Sequence, residues 1–354
     1  MSILYNNEYG KFYLCHSFIV RLMFETINFD NLFKGFANQT VMVIGDVMID
    51  TYLWGKVSRV SPEAPVPIVS GIMEESRLGG AANVALNIKA MGAVPILCSV
   101  IGGDERGSMF LELLEEQNLS DVGLIVDDYR LTTQKTRIIS ANKHLLRVDE
   151  EMEIYLSEKS QEEFLELINN LLENREIDSI VFQDYDKGII TPFIISEVAA
   201  TARKQSIPVL ADPKFRNFCE YKNITLLKPN FKELQRGLKL DFKKKDITGI
   251  AGACLKYQEE KQIDIIMVTL SESGILVTAD GGFHHVPAVI KEVTDVSGAG
   301  DTVISVAAIC LNAGLSPIQT TFFANLAGGQ VCEHPGVVPV NAGQLLSDCR
   351  ANLI

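Results

Sequence analysis

The residues best placed to do chemistry form the run Asp295-Val296-Ser297-Gly298-Ala299-Gly300-Asp301-Thr302. It closes a strand-like segment and opens an apolar helix. Gly298 and Gly300 let the backbone approach an anion closely. The free N–H groups of a helix start, aided by its dipole, stabilise negative charge. Asp301, placed there, can accept the proton of an attacking hydroxyl. An anion cradle beside a base is what phosphoryl transfer requires. By itself, G-x-G-D reads more simply as a glycine turn with an aspartate beginning a helix. The full octapeptide, set between strand and apolar helix, favours the chemical reading.

Other chemistries lack their residues. No G-x-G-x-x-G follows the first strand and no G-x-x-x-x-G-K-[ST] is present, so dinucleotide and Walker-type sites are not indicated. No serine elbow, Cys/His pair or metalloprotease motif is present. The seven cysteines, Cys15, Cys98, Cys219, Cys254, Cys310, Cys332 and Cys349, are scattered singly. They read as reduced thiols of a cytoplasmic protein. A net charge of −13 disfavours nucleic acid as a partner. No apolar run reaches the roughly 18 residues of a membrane span. Lys11, His16 and Arg21 break the apolar N-terminus, and no A-x-A site follows it. Residues 1–37 therefore read as an extension, poorly ordered in part, with Met23 a plausible alternative start.

These groups need a scaffold. Apolar runs at 41–45, 96–101, 179–184, 208–212, 225–227 and 265–269 read as buried strands. Helical patterns fall at 81–91, 109–117, 157–174, 192–205, 231–238, 247–262, 301–313 and 317–333. Residues 46–50 read as a loop, and 275–278 and 285–287 as short antiparallel additions. The alternation predicts an α/β fold over 38–354, with a mostly parallel central sheet flanked by helices. Extended segments near 50–75 and 130–150 break the alternation and predict a small β-lid. The second contains a hairpin turning near 142–143. Their unpaired edges and apolar faces predict a homodimer through the lid. Lys135 and Arg137 are two apart, hence on one strand face. With Arg147 they could hold a substrate phosphate. The plainer alternative is a solvated charged face.

The octapeptide resembles the C-terminal signature of the ribokinase (PfkB) family of carbohydrate kinases. Gly79-Gly80-Ala81-Ala82-Asn83 resembles that family's N-terminal signature. Further runs are similar to one branch, the D-glycero-β-D-manno-heptose 7-phosphate kinases: Gly45-Asp46-Val47-Met48-Ile49-Asp50, Ser61-Pro62-Glu63-Ala64-Pro65-Val66-Pro67, Asp184-Tyr185-Asp186-Lys187-Gly188, Asp212-Pro213-Lys214 and Phe322-Phe323-Ala324-Asn325. The resemblance extends from about residue 41 to about 338. The Ser-Pro-Glu-Ala-Pro-Val-Pro run is specific to the branch, whereas the glycine-rich signatures specify the family.

The resemblance implies roles. Asp301 would be the catalytic base, with Gly298, Ala299 and Gly300 forming the anion hole. Asp50, Gly80 and Asn83 would bind the sugar. Lys135, Arg137, Arg147, Asp184 and Lys187 are further substrate candidates, and Lys214 is a candidate for nucleotide phosphate. Asn230-Phe231-Lys232-Glu233 matches the family's N-x-x-E motif. Asn230 and Glu233 would organise Mg²⁺, mostly through water, although a capping pair at a helix start is the natural alternative. Thr269, Ser271 and Gly274 would border ATP, and Asn325 would approach the adenosine. The implied reaction is ATP-dependent phosphorylation of the heptose 7-phosphate at its anomeric hydroxyl. The product would feed ADP-heptose and lipopolysaccharide synthesis. No H-x-G-H motif is present, so a separate nucleotidyltransferase is expected to act downstream. The rivals are a PfkB kinase for another sugar (ribose, fructose or a fructose phosphate) and a non-catalytic sugar- or nucleotide-binding protein.

Overall fold

Val41–Ile44 form an unbroken apolar run, and a strand of such residues must be covered on both faces. In the computed structural model they make strand β1 (Thr40–Gly45), and all four are fully buried. The structure describes residues 24–25, 27–141, 143–241, 243–289 and 293–353. On one side β1 pairs in parallel with β4 (Val94–Gly102), which pairs with β5 (Gly123–Asp127). On the other it pairs in parallel with β8 (Ser179–Gln183), followed by β9 (Val209–Asp212), β10 (Leu226–Leu227) and β11 (Ile265–Thr269). Antiparallel strands β12 (Ile275–Ala279) and β13 (Gly282–Val286) complete a nine-stranded sheet. This is the expected α/β fold.

Two apolar cores cover its faces. One holds helices α1 (Phe29–Gly35), α2 (Ala81–Ala90), α3 (Glu105–Glu116), α8 (Ala299–Asn312), α9 (Pro317–Val331) and α10 (Ala342–Leu353). The other holds α4 (Glu158–Asn174), α5 (Pro192–Lys204), α6 (Phe231–Leu238) and α7 (Ile247–Lys261).

The lid is a second, four-stranded sheet in the order β3 (Pro67–Gly80), β2 (Val47–Val60), β6 (Thr133–Ser140), β7 (Lys143–Glu150). Residues 46–50, read as a loop, are corrected here: β2 begins at Val47. Its first residues pair with the end of β3 and with the start of β6, so they are held extended. The strand is buried where it leaves the core and exposed at its tip.

Three elements were not legible: α1, β5 and α10. Asn341 caps α10 by accepting the Gln344 N–H at 2.9 Å. Most of the expected extension, and Met23, lie outside the described residues. Its described end folds onto the core, with Phe24 buried against the rings of Phe322 and Phe323.

Candidate active site

Helix α8 begins on Gly298, whose φ of +78° turns the chain into the helix without a side-chain cap. A side chain there would be strained, and its Cβ would fall 2.9 Å from Asn83 Nδ2. Asp295 fixes the approach, accepting from the Ser297 N–H and Oγ at 3.0 and 2.9 Å and from the Gly336 N–H at 2.9 Å. The first helical bond runs from the Thr302 N–H to the Gly298 carbonyl, so the amides before it stand outside the helical ladder. The Ala299 N–H, expected in the anion hole, instead points at the Val296 carbonyl at 3.3 Å. An anion cradle here would therefore be formed by the remaining first-turn amides.

Asp301 lies in the first turn of α8 and is 5% exposed. Its Oδ2 accepts from Asn83 Nδ2 at 2.8 Å. Its Oδ1 accepts from the Tyr185 hydroxyl at 2.6 Å and from Gln183 Nε2 at 3.1 Å. Burial pushes its pKa up to about 6, while Tyr185 and Asn83 restrain the rise. A carboxylate poised there is a competent base near neutral pH.

A polar network fastens these groups. Gln183, ending β8, also donates to Asp212 Oδ2 at 3.2 Å. Asp212 in turn pairs with buried Lys228 at 2.9 Å. Asp46 is fully buried and accepts from the N–H groups of Tyr185, Lys187 and Ile189 at 2.8, 3.2 and 3.1 Å. Those bonds pin the loop that presents Tyr185.

On the lid side, Asp50 pairs with Arg137 at 2.5 Å across parallel strands β2 and β6. Arg137 and Arg77 lie over the Tyr52 ring at 5.3 and 5.2 Å. A Cβ at Gly79 would fall 2.2 Å from Asp50 Oδ2, so glycine keeps room for that carboxylate. Lys135 stands 5.8 Å from the centre of the Tyr185 ring, and burial lowers its pKa. Arg147 is directly opposite Arg137 in the hairpin, hence on the same face. It stays exposed and pairs with Asp149.

At the far end of the sheet, Asn230 and Thr269 face each other across a parallel bridge. Asn230 and Glu233 form a reciprocal capping box at the start of α6: Asn230 Oδ1 accepts the Glu233 N–H at 3.0 Å, and Glu233 Oε2 accepts the Asn230 N–H at 2.8 Å. Glu233 Oε1 pairs with Lys214 at 2.5 Å. Burial opposes the Lys214 charge, yet Asp212 and Glu233 hold its pKa above the ordinary lysine range. Among the described residues no group of three or more His, Cys, Asp or Glu could hold a metal ion. One carboxylate beside a lysine suits magnesium held by phosphates and water rather than by a protein cage. Ser271 and Gly274 form the turn after β11. Asn325 donates to the Pro287 carbonyl at 2.9 Å, beside the end of β13.

The model of the pfkB carbohydrate kinase family matches residues 38–342. The chain belongs to this family. It is 37% identical to the bifunctional protein HldE of Geotalea uraniireducens (strain Rf4), over 92% of this chain and 66% of that protein. With the same-named protein of Sulfurimonas denitrificans it shares 39% identity, over 86% of this chain and 63% of that one. The chain thus spans less than two thirds of these relatives' length. In fold it resembles phosphofructokinase-2 from Escherichia coli, solved in complex with substrates and products, with a TM-score of 0.70 at 19% identity, covering 89% of this chain and 99% of that one. Arabidopsis thaliana ribokinase, solved with ribose and ATP, gives 0.66 at 18% identity, covering 87% and 98%.

In this PfkB carbohydrate kinase, the residues expected to touch the sugar separate into two groups. Asp301, Asn83 and Gly298 meet at the start of α8, Lys135 reaches from the lid to the ring of Tyr185 beside Asp301, Asp50 and Arg137 pair within the lid sheet, and Gly80 carries the chain from β3 into α2. Asp184 is corrected, and Lys187 stands apart. Asp184 is fully buried, and its carboxylate accepts from Asn217 and Tyr221 side chains and from the Asp186 N–H. It supports the loop from behind. Lys187 is 7% exposed and paired with Glu151 and Glu153 at 2.9 and 3.1 Å. Sequence reasoning missed Asp46, Gln183, Tyr185 and Lys228. Asp46 and Tyr185 sit inside motifs quoted above, so position within them was the available signal. Gln183 and Lys228 carried none.

Proposed function

We propose that this carbohydrate kinase phosphorylates D-glycero-β-D-manno-heptose 7-phosphate at its anomeric hydroxyl with ATP, giving the 1,7-bisphosphate. The observation that carries the reading is the lid pair Asp50–Arg137, with Lys135 on the same strand face and beside Tyr185, whose hydroxyl donates to Asp301. A carboxylate for sugar hydroxyls and cations for a distal phosphate suit a sugar that is itself phosphorylated. The similarity to HldE proteins supports the same branch.

The 1-hydroxyl would lie against Asp301 and lose its proton to that carboxylate. Its oxygen would bond to the γ-phosphorus as the bond to the β,γ-bridging oxygen breaks and ADP leaves. First-turn amides of α8 would face the transferring group, with the helix dipole favouring its charge. Asn230, Glu233 and Lys214 would stand at the nucleotide phosphates, and Thr269, Ser271, Gly274 and Asn325 toward the rest of ATP. Asn230 and Glu233 would hold magnesium mostly through water, and the ion would supply positive charge to the nucleotide phosphates. The lid would exclude water that otherwise hydrolyses ATP. Exposed Ile72, Met73, Leu146 and Val148 on the lid support a homodimer through that sheet, which light scattering at micromolar concentration would test: a monomer removes it.

The substrate test is a coupled ADP-release assay with Mg-ATP and heptose 7-phosphate, fructose 1-phosphate, fructose 6-phosphate, ribose or fructose. Wild type and Asp301→Asn are compared. Selective turnover of heptose 7-phosphate, lost in the variant, is expected. Selective turnover of another sugar would overturn the substrate, and none at all the activity.

A further inference from the structure

We propose that Tyr185 is a positioning residue for the base: a fixed donor that fills Asp301 Oδ1 and leaves Oδ2, beside Asn83, to take the proton. This inference rests on Asp301 being the base in the reading above.

A carboxylate oxygen offers about two acceptor sites. Both on Oδ1 are taken, by the Tyr185 hydroxyl at 2.6 Å and Gln183 Nε2 at 3.1 Å. Oδ2 accepts from Asn83 Nδ2 at 2.8 Å, and among the described residues no second donor reaches it. The acceptor hydroxyl therefore finds its open lone pair on Oδ2, next to a residue of the sugar pocket. The balance is simple: the hydroxyl proton goes to Oδ2, the new O–P bond forms, and ADP departs with the electrons of the broken bond.

Tyr185 is held for this task from several directions. Its N–H donates to buried Asp46 at 2.8 Å, and the same carboxylate binds the Lys187 and Ile189 amides. Two ammonium groups lie near the centre of its ring, Lys135 at 5.8 Å and Lys214 at 5.1 Å. Burial, then the Asp301 charge, holds the phenol well above its usual pKa, so it keeps its proton and remains a donor. A hydrogen bond donated to a carboxylate favours the ionised form. Losing it lets the base become harder to ionise.

The test is the pH profile of kcat/KM from pH 5 to 9 for wild type, Tyr185→Phe and Asp301→Asn, using whichever panel sugar is turned over. The phenylalanine variant lacks one oxygen atom, and its melting temperature checks the fold. The acid limb of Tyr185→Phe is expected to move up by about one pH unit, giving a loss of about tenfold below the limb and rates near wild type by pH 9. An unmoved limb, or an equal loss at every pH, would overturn the assignment to Tyr185 and leave Asp301 as base. Asp301→Asn retaining wild-type turnover, or no sugar being turned over, would overturn the underlying reading and this inference with it.

Discussion

Lys228 Nζ lies 2.9 Å from Asp212 Oδ2, and the two side chains are 2% and 5% exposed. They leave the ends of adjacent parallel strands, β10 and β9, and meet beside Gly300, whose Cβ would stand 3.5 Å from the ammonium. Through Gln183, the pair is coupled to the base. Taking one partner from a buried ion pair leaves the other charge unanswered, at a cost of about 3–5 kcal/mol. Lys228→Met should lower unfolding free energy by that order in urea titrations, and adding Asp212→Leu should recover part of it. Unchanged stability in the single variant would mean that solvent reaches the pair.

Asp301 also carries a stability signature. Its folded pKa, about 6, lies above the ordinary 3.8, so folding favours its protonated form. The stability it contributes is fully present below pH 4 and lost as pH rises through 6. Asp301→Asn should therefore be more stable than wild type at pH 7.5, by up to about 3 kcal/mol of unfolding free energy, less what its amide loses facing Asn83. The advantage should vanish below pH 4. In the kinase assay the same variant should lose about 10²–10⁴ in kcat. A variant less stable than wild type at pH 7.5 would show that hydrogen bonds outweigh burial at this carboxylate.

Gly298→Ala would force a left-handed residue and press on Asn83. The backbone cost is about 1–2 kcal/mol. The larger effect should fall on kcat, because displaced Asn83 no longer orients Asp301 Oδ2. Steady-state kinetics should show kcat reduced at least tenfold with the KM for ATP within about twofold. A defect in ATP KM alone would place the disturbance elsewhere.

Arg137→Ala should raise the KM for a phosphorylated sugar by about 10–100-fold, the worth of one charge-assisted contact. Arg137→Lys should recover only part, because a lysine lacks the planar fork and the stacking on Tyr52. Equal effects on a neutral sugar would show that Arg137 acts through Asp50 alone.

Much of this was legible in the sequence because local rules and burial agreed. The unbroken run at Val41–Ile44 could only be a strand covered on both faces. The Gly298–Gly300 turn announced a helix start, and α8 begins there. The lid segments betrayed themselves by failing the alternation. What escaped depended on contacts distant in sequence. Lys228 looks like any lysine until strand order sets it on Asp212. Asp184 looks available because its partner Asn217 comes from elsewhere in the chain. Residues 46–50 passed for a loop because their pairing partners lie about 30 and 80 residues away. Helix α10 was passed over although Leu345 and Cys349, four residues apart, bury one side of it, and its start is set by the Asn341 cap.

Strand β3 runs from the exposed lid to Gly80, and α2 starts at the next residue with Asn83 in its first turn. Lid strand and site helix are thus one continuous chain, joined at a glycine whose φ is +62°. On the function proposed above, a lid swung outward would pull on the start of α2 and so on the Asn83 amide that meets Asp301 at 2.8 Å. ATP hydrolysis measured without sugar is then expected to be slow, and fast hydrolysis would show that Asn83 keeps its place when the lid moves.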